Sequence, residues 1–300
     1  MRLNYSLLSP LHWPTWLGIA LMALFGNLPG AIGRPLGRFL GFLLRMLARA
    51  RVRVAERNLE LCFPELDAAQ RARLLKRSFA SIGEGAYEFA RAWWGSTRGL
   101  EVAKIEGLET LAELQRQGRG VLLLSGHFLT LEICGRLLCE HIELAGFYRR
   151  HEQPPLEWAV KRGRSRYAVA MFAREELRSA IRHVKQGGVL WYAPDQDIRG
   201  KDSVFAPFFG ISANTFAATH HLARLTGAAV VPFFHHRDGN GRYVMRIGAA
   251  LPDFPTQDVI ADTAAVNNLI EQMVREAPDE YLWIHKRFKT RPEGEAKLYE

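Results

Sequence analysis

Three short apolar runs, Gly120-Val-Leu-Leu-Leu-Ser125, Val189-Leu-Trp-Tyr-Ala193 and Ala229-Val-Val-Pro-Phe-Phe234, constrain the fold of this 300-residue chain more than any other feature. Each is too short and continuous for an amphipathic helix and has the character of a strand buried on both faces. Each follows a segment of helical period closed by glycine: Leu108–Gln117 with Gly118, Glu175–Gln186 with Gly187-Gly188, and Thr215–Thr226 with Gly227. Further helices are predicted over Ala68–Trp94, where Phe79, Ile82, Ala86 and Phe89 share a face, and over Leu129–Cys139 and Ala261–Glu276. Tyr243–Ile247 reads as an edge strand. Strands separated by helices predict an α/β fold, a mixed sheet flanked by helices. With no internal repeat and no linker, residues 65–300 form one domain.

The N-terminal third is different. No Asp, Glu, Lys or Arg occurs from Leu3 to Gly33, and Trp16–Phe25 is strongly apolar, with Trp13 and Trp16 placed like interfacial anchors. Residues 1–33 therefore predict a membrane anchor, a helix that either spans the bilayer or dips into it. Pro10, Pro14 and Pro29 hold its helix to about 15–20 residues, near the lower limit for a span. Residues 34–64 follow with Arg34, Arg38, Arg45, Arg49, Arg51, Arg53 and Arg57 against the acids Glu56 and Glu60. Leu36, Phe39, Leu40, Leu43, Leu44 and Leu47 recur there at helical spacing, which predicts a segment lying along the interface on the cytoplasmic side. The formal charge of +9 adds attraction to an acidic partner: lipid, phosphorylated substrate, protein or nucleic acid. Three cysteines without a CxxC pair exclude a disulfide framework and a cysteine zinc site.

In an α/β sheet, sites gather where strands end. After the three apolar runs come His127, then Asp195 and Asp197, then His235 and His236, all on one predicted rim. His127 and Glu132 lie five residues apart, about 140° inside a regular helix, and would not share a face. With His127 in the turn before the helix, Glu132 reaches back to one ring nitrogen and leaves the other to take a proton from a hydroxyl. The amides opening that helix would then steady an oxyanion. The plainer reading of the same spacing is a histidine in a βα turn with Glu132 on the surface. No H-E-x-x-H, Gly-x-Ser-x-Gly or Walker loop is present.

His127-Phe-Leu-Thr-Leu-Glu132 resembles the HX4(D/E) motif of the lipid A biosynthesis acyltransferases, the late acyltransferases of Gram-negative bacteria. Asn58-Leu-Glu-Leu-Cys-Phe-Pro-Glu65, Trp191-Tyr-Ala-Pro-Asp-Gln-Asp197, Val204-Phe-Ala-Pro-Phe-Phe209 and Tyr281-Leu-Trp-Ile-His-Lys-Arg-Phe-Lys-Thr-Arg-Pro-Glu-Gly294 are similar to family blocks in family order. Arg150 departs from the usual Tyr-Arg-Pro. The resemblance implies a lysophospholipid/glycerol-phosphate acyltransferase-like fold with an N-terminal membrane helix at the inner membrane. It implies acyl transfer from acyl carrier protein, without a cofactor, to a hydroxyl on a Kdo-bearing lipid A precursor, His127 being the base and Glu132 its orienter. The Leu-Thr-Leu version is similar to the lauroyltransferase subgroup and so points to a C12 donor. It also makes Arg164 or Arg166 a motif arginine. The alternatives are a lysophospholipid acyltransferase using acyl-CoA and a catalytically silent protein binding anionic lipid.

Arg149, Arg164, Arg166 and Arg174 suit the phosphates and carboxylates of such an acceptor. Asp195 and Asp197 are expected to position loops or the acceptor. Arg287, in the basic and aromatic block that ends at Arg291, is expected at lipid headgroups rather than at nucleic acid. The pairs His220-His221 and His235-His236 point apart in helix or strand, which favours structural roles over a metal site.

Overall fold

The computed structural model describes residues 5–299. The first residues of the expected anchor, and Glu300, lie outside the described residues. Three helices, α1 (Trp13–Asn27), α2 (Gly30–Leu47) and α3 (Arg49–Cys62), precede the long α4 (Ala68–Trp94). Asp67 opens α4 with a capping box, its carboxylate accepting from the Gln70 amide while the Gln70 side chain accepts from the Asp67 amide.

The rest alternates: β1 (Val102–Glu106), α5 (Leu108–Arg116), β2 (Val121–Leu124), α6 (Leu131–Leu138), β3 (Leu144–Tyr148), α7 (Pro154–Arg164), β4 (Ala170–Ala173), α8 (Leu177–Lys185), β5 (Val189–Tyr192). A hairpin, β6 (Ser203–Phe208) and β7 (Ile211–Phe216), leads into α9 (Ala218–Thr226), β8 (Ala229–Arg237), β9 (Tyr243–Ile247) and α10 (Val259–Glu276). The main sheet has the order β1-β9-β8-β2-β5-β3-β4, parallel except between β8 and β9.

The apolar runs behave as their composition predicts, because their side chains feed two cores. Leu122, Leu124, Leu190, Val230 and Phe234 enter the core under α8, α9 and α10. Val121, Leu123, Val189, Val231 and Phe233 enter the opposite one, with α5, α6 and α7. A strand buried on both faces needs no polar alternation.

Three expectations are corrected. Tyr243–Ile247 is not an edge strand: β1 pairs with it in parallel, and the half-exposed Val-Ala-Lys-Ile-Glu of β1 carries the charges that suit an edge. Thr215 and Phe216 close β7 rather than open a helix. The hairpin turns at Phe209 (φ 52°) and Gly210 (φ 71°), the paired left-handed residues of a tight β-turn.

The third correction concerns the N-terminus. Among the described residues no helix is long and apolar enough to cross a membrane. The 15 residues of α1 rise about 22 Å, short of the ~30 Å hydrocarbon core. The chain turns at Pro29 into α2, which packs on α4. Gly33, Gly37 and Gly41 form the buried seam of α2; of the apolar residues read as an interfacial stripe, Leu36, Phe39, Leu40 and Leu47 look outward, while Leu44 packs against the core.

The approach at the seam is so close that a Cβ at Gly83 of α4 would stand 1.9 Å from the Gly37 carbonyl oxygen. Gly83→Ala must therefore push two backbones apart. The expected loss is about 1–3 kcal/mol in denaturant unfolding, with catalytic chemistry unchanged per folded molecule.

Candidate active site

β2 and β5 are parallel neighbours, with Leu124 paired to Tyr192, so the loops leaving their C-terminal ends emerge side by side. One loop carries His127 and the other Asp195. Both carboxylate oxygens of Asp195 are used: Oδ2 accepts from the His127 amide at 2.9 Å, and Oδ1 holds the ring Nδ1 at 2.5 Å. Asp195 is buried, whereas the His127 side chain keeps 31% of its surface exposed. Among the described residues, Nε2 has no hydrogen-bond partner and is the atom offered outward.

Electrostatics follow from that geometry. Burial alone would depress the His127 pKa, but the charge and hydrogen bond of Asp195 outweigh it, and the ring lies above its ordinary 6.5. Burial pushes Asp195 the other way, and the histidine and the hydrogen bonds pull its carboxyl well below the usual range. Asp195 is thus a fixed anion facing a histidine of raised basicity.

The tail of the chain holds this loop in place. Leu129 N–H donates to the Glu280 carbonyl at 2.8 Å, Leu282 N–H donates to the His127 carbonyl at 3.1 Å, and Phe128 bridges Tyr281 between them. Burial and the nearby Asp195 charge push the pKa of the buried Tyr281 hydroxyl up. Below it, the Glu280 carboxylate accepts from Arg237 Nε at 2.7 Å. Arg237, at the end of β8, also faces Glu84 and Glu88 at 3.6 and 3.4 Å.

Two details of the expected dyad are corrected. No hydrogen bond joins Glu132 to His127, because the first turn of α6 points Glu132 to the other side. There it is ion-paired with Arg164, and it accepts from the Trp93 indole at 2.8 Å and the Tyr167 hydroxyl at 3.2 Å. Nor are the amides of His127, Phe128 and Leu129 open to an oxyanion, since Asp195, Gly126 and Glu280 already accept from them.

Glu132 ties α6 to α4 and α7 behind the catalytic loop. Glu132→Ala leaves the largely buried Arg164 without its counter-ion. We expect a loss of about 3 kcal/mol in unfolding free energy, together with reduced activity; Glu132→Gln, which keeps the hydrogen bonds but not the charge, should lose less.

The other expected residues divide. Arg149 follows β3 and Arg174 follows β4, so both sit exposed on the rim of His127 and Asp195, on the β3–β4 side. Arg149 lines a surface cleft with Arg150, His151 and Gln153. Arg166 is exposed and caps the Trp93 carbonyl at 2.7 Å.

Asp197 accepts from Asn214 and from the amide and hydroxyl of Thr290, which anchors the C-terminal block to the hairpin. Arg287 is corrected: it is 3% exposed and spends its donors on the Asn214 carbonyl and the Thr215 hydroxyl, inside the core. The histidine pairs take structural positions. His235 bridges the Ser125 and Thr130 hydroxyls at 3.0 and 2.9 Å, with burial pushing its pKa down to about 3, and His220 pairs with Asp262 at 2.6 Å.

Sequence reasoning passed over Trp93, Tyr167 and Tyr281. The aromatic residues of α4 read only as core, and nothing local marks which strand end Tyr281 will reach.

Residues 1–290 match the sequence model described as bacterial lipid A biosynthesis acyltransferase. The lipid A biosynthesis lauroyltransferase of Escherichia coli K12 is 38% identical, over 99% of this chain and 98% of its own. The palmitoleoyltransferase of the same organism is 37% identical over the same shares. A lipid A biosynthesis acyltransferase of Haemophilus influenzae is 35% identical, over 95% and 93%. Among solved structures, the 1-acyl-sn-glycerophosphate acyltransferase of Thermotoga maritima superposes with a TM-score of 0.39 at 15% identity, covering 83% of this chain and 97% of its own. The chain is an acyltransferase and belongs to the bacterial lipid A biosynthesis acyltransferase family.

Proposed function

We propose that this enzyme moves a fatty acyl chain, C12 by preference, from the thioester of acyl carrier protein to a hydroxyl of an acyl chain on a Kdo-bearing lipid A precursor. The observation that carries the reading is the His127–Asp195 pair. Asp195 fixes the Nδ1–H tautomer, so Nε2 is the basic atom and stands where an acceptor hydroxyl can enter. Proton removal by Nε2 makes the acceptor oxygen a nucleophile at the thioester carbonyl. The C–O bond forms, the C–S bond breaks, and the imidazolium returns its proton to the departing thiolate. No cofactor is called on. The rim arginines Arg149 and Arg174 suit the anionic groups of the acceptor.

The membrane enters through α1 and α2. Trp13, Leu17, Leu21 and Leu24 of α1, with Ile32, Phe39, Met46 and Leu47 of α2, are each at least half exposed. Apolar surface on that scale marks an interaction face. Arg45, Arg49, Arg51 and Arg53 beside it suit the anionic headgroups of the inner membrane's cytoplasmic leaflet. The double variant Leu21→Glu/Phe39→Glu is expected to reduce sedimentation with phosphatidylglycerol vesicles more than tenfold while leaving the folded state intact by circular dichroism.

The test of the function is acyl transfer to a tetra-acylated Kdo-bearing acceptor, read by mass, with carrier-linked and CoA-linked chains from C10 to C16 in competition. The reading predicts a gain of one acyl mass, with the carrier-linked C12 chain preferred. No gain with any donor contradicts it. A preference for acyl-CoA and a lysophospholipid acceptor would replace it.

A further inference from the structure

Along α8, Arg178, Arg182 and Lys185 share one solvent-facing stripe, and Arg174 extends it to the rim of the site. The stripe runs about 16 Å. Surface arginines generally find acids nearby, as Arg150 does with Glu175 and Glu176 at 3.5 and 4.0 Å. Those contacts consume the acids at the start of α8. Among the described residues, none of the four stripe cations makes an ion pair or side-chain hydrogen bond. Leu177, which is exposed, lies where the stripe meets the rim.

The position separates this stripe from the apolar face. α8 packs on β4, β5 and α9, with Ala180 and Val184 in the core of Leu122 and Leu190. α1 and α2 instead pack on α4, with α7 and α3 as their further neighbours. A bilayer held by α1 and α2 already has its own arginines there. We infer that the α8 stripe is the docking surface for the acidic carrier protein that brings the acyl thioester.

An acidic helix of the carrier lies along Arg178, Arg182 and Lys185, and Leu177 supplies an apolar contact of the kind usual at a protein interface. Arg174 then stands where the acyl-bearing arm turns over the rim toward His127. This assignment rests on the carrier-linked donor proposed above.

The test compares the full-length enzyme with Arg178→Glu/Arg182→Glu, using lauroyl-carrier protein and uncharged lauroyl-pantetheine as alternative donors on the same acceptor. The expected result is a rise of more than about tenfold in KM for the carrier donor, with kcat and the pantetheine rate within twofold. The unsubstituted enzyme should also lose affinity for the carrier as salt rises, and the variant should not. Arg178→Gln/Arg182→Gln should give an intermediate KM, which guards against misfolding of the charge-reversed protein.

Unchanged KM for the carrier overturns the assignment, as does an equal loss with both donors, or a loss of vesicle binding without a change in KM. If the unsubstituted enzyme accepts no carrier-linked chain, the donor reading falls instead.

Discussion

His127→Ala is expected to lower kcat by about 10²–10⁴-fold, the contribution of a positioned general base. An alcohol hydroxyl gives up its proton reluctantly near neutral pH, and the neighbouring His285 has its Nε2 engaged, accepting from the Asp197 amide at 3.2 Å. His235 is sealed in the core between two hydroxyls and has little basicity left. Removing the ring leaves the buried Asp195 carboxylate without its main side-chain partner, so a loss of about 1–3 kcal/mol in stability is expected alongside the chemical effect. Steady-state rates with matched protein concentrations and a thermal melt separate the two. A folded variant with a rate within fivefold of the unsubstituted enzyme would assign the base elsewhere.

Asp195→Asn should be as damaging, for a reason specific to this geometry. Both oxygens of Asp195 accept hydrogen bonds, one from a backbone N–H that can only donate and one from a ring that can change tautomer. An asparagine must keep its carbonyl toward the backbone and turn its NH2 toward the ring. The ring nitrogen facing it then becomes an acceptor, and the proton moves to Nε2, the atom that must be free to act. A fall of about 10³–10⁴ in kcat is expected, the size seen when a carboxylate that sets a catalytic tautomer becomes an amide. Loss of the negative charge also removes what holds the His127 pKa up, so the acid limb of the residual activity should move to lower pH. Retention of full rate, or an acid limb at unchanged pH, would argue that Asp195 only supports the loop.

How much of this was legible in the chain differs from part to part. The apolar runs ending at Leu124, Tyr192 and Phe234 were readable because a strand buried on both faces leaves a continuous signature. β3, with Leu-Ala-Gly-Phe-Tyr, and the four residues of β4 were not, since short strands rich in small residues carry no period of their own. His127 was visible from its place after a strand.

Its partner was mistaken for Glu132 because spacing along the chain measures only local reach. The pairing with Asp195 depends on β2 and β5 being neighbours, a fact of strand order that no local pattern encodes. Arg287 shows the same limit from the other side: a residue in a basic run looks like surface until the hairpin and α10 close around it. The N-terminal stripe was real, but the glycines at 33, 37 and 41 rather than the leucines chose which face of α2 meets the protein.

The central claim is that a neutral His127, its basicity raised by Asp195, takes the acceptor's proton. The pH dependence of kcat/KM for acyl transfer tests it most directly. Since the folded pKa of His127 is raised, the base is protonated and idle at low pH. The account predicts a rise with a slope of one and a midpoint above 6.5, absent from the residual rate of His127→Ala. A flat profile from pH 5 to 9, or the same limb persisting in His127→Ala, would contradict it.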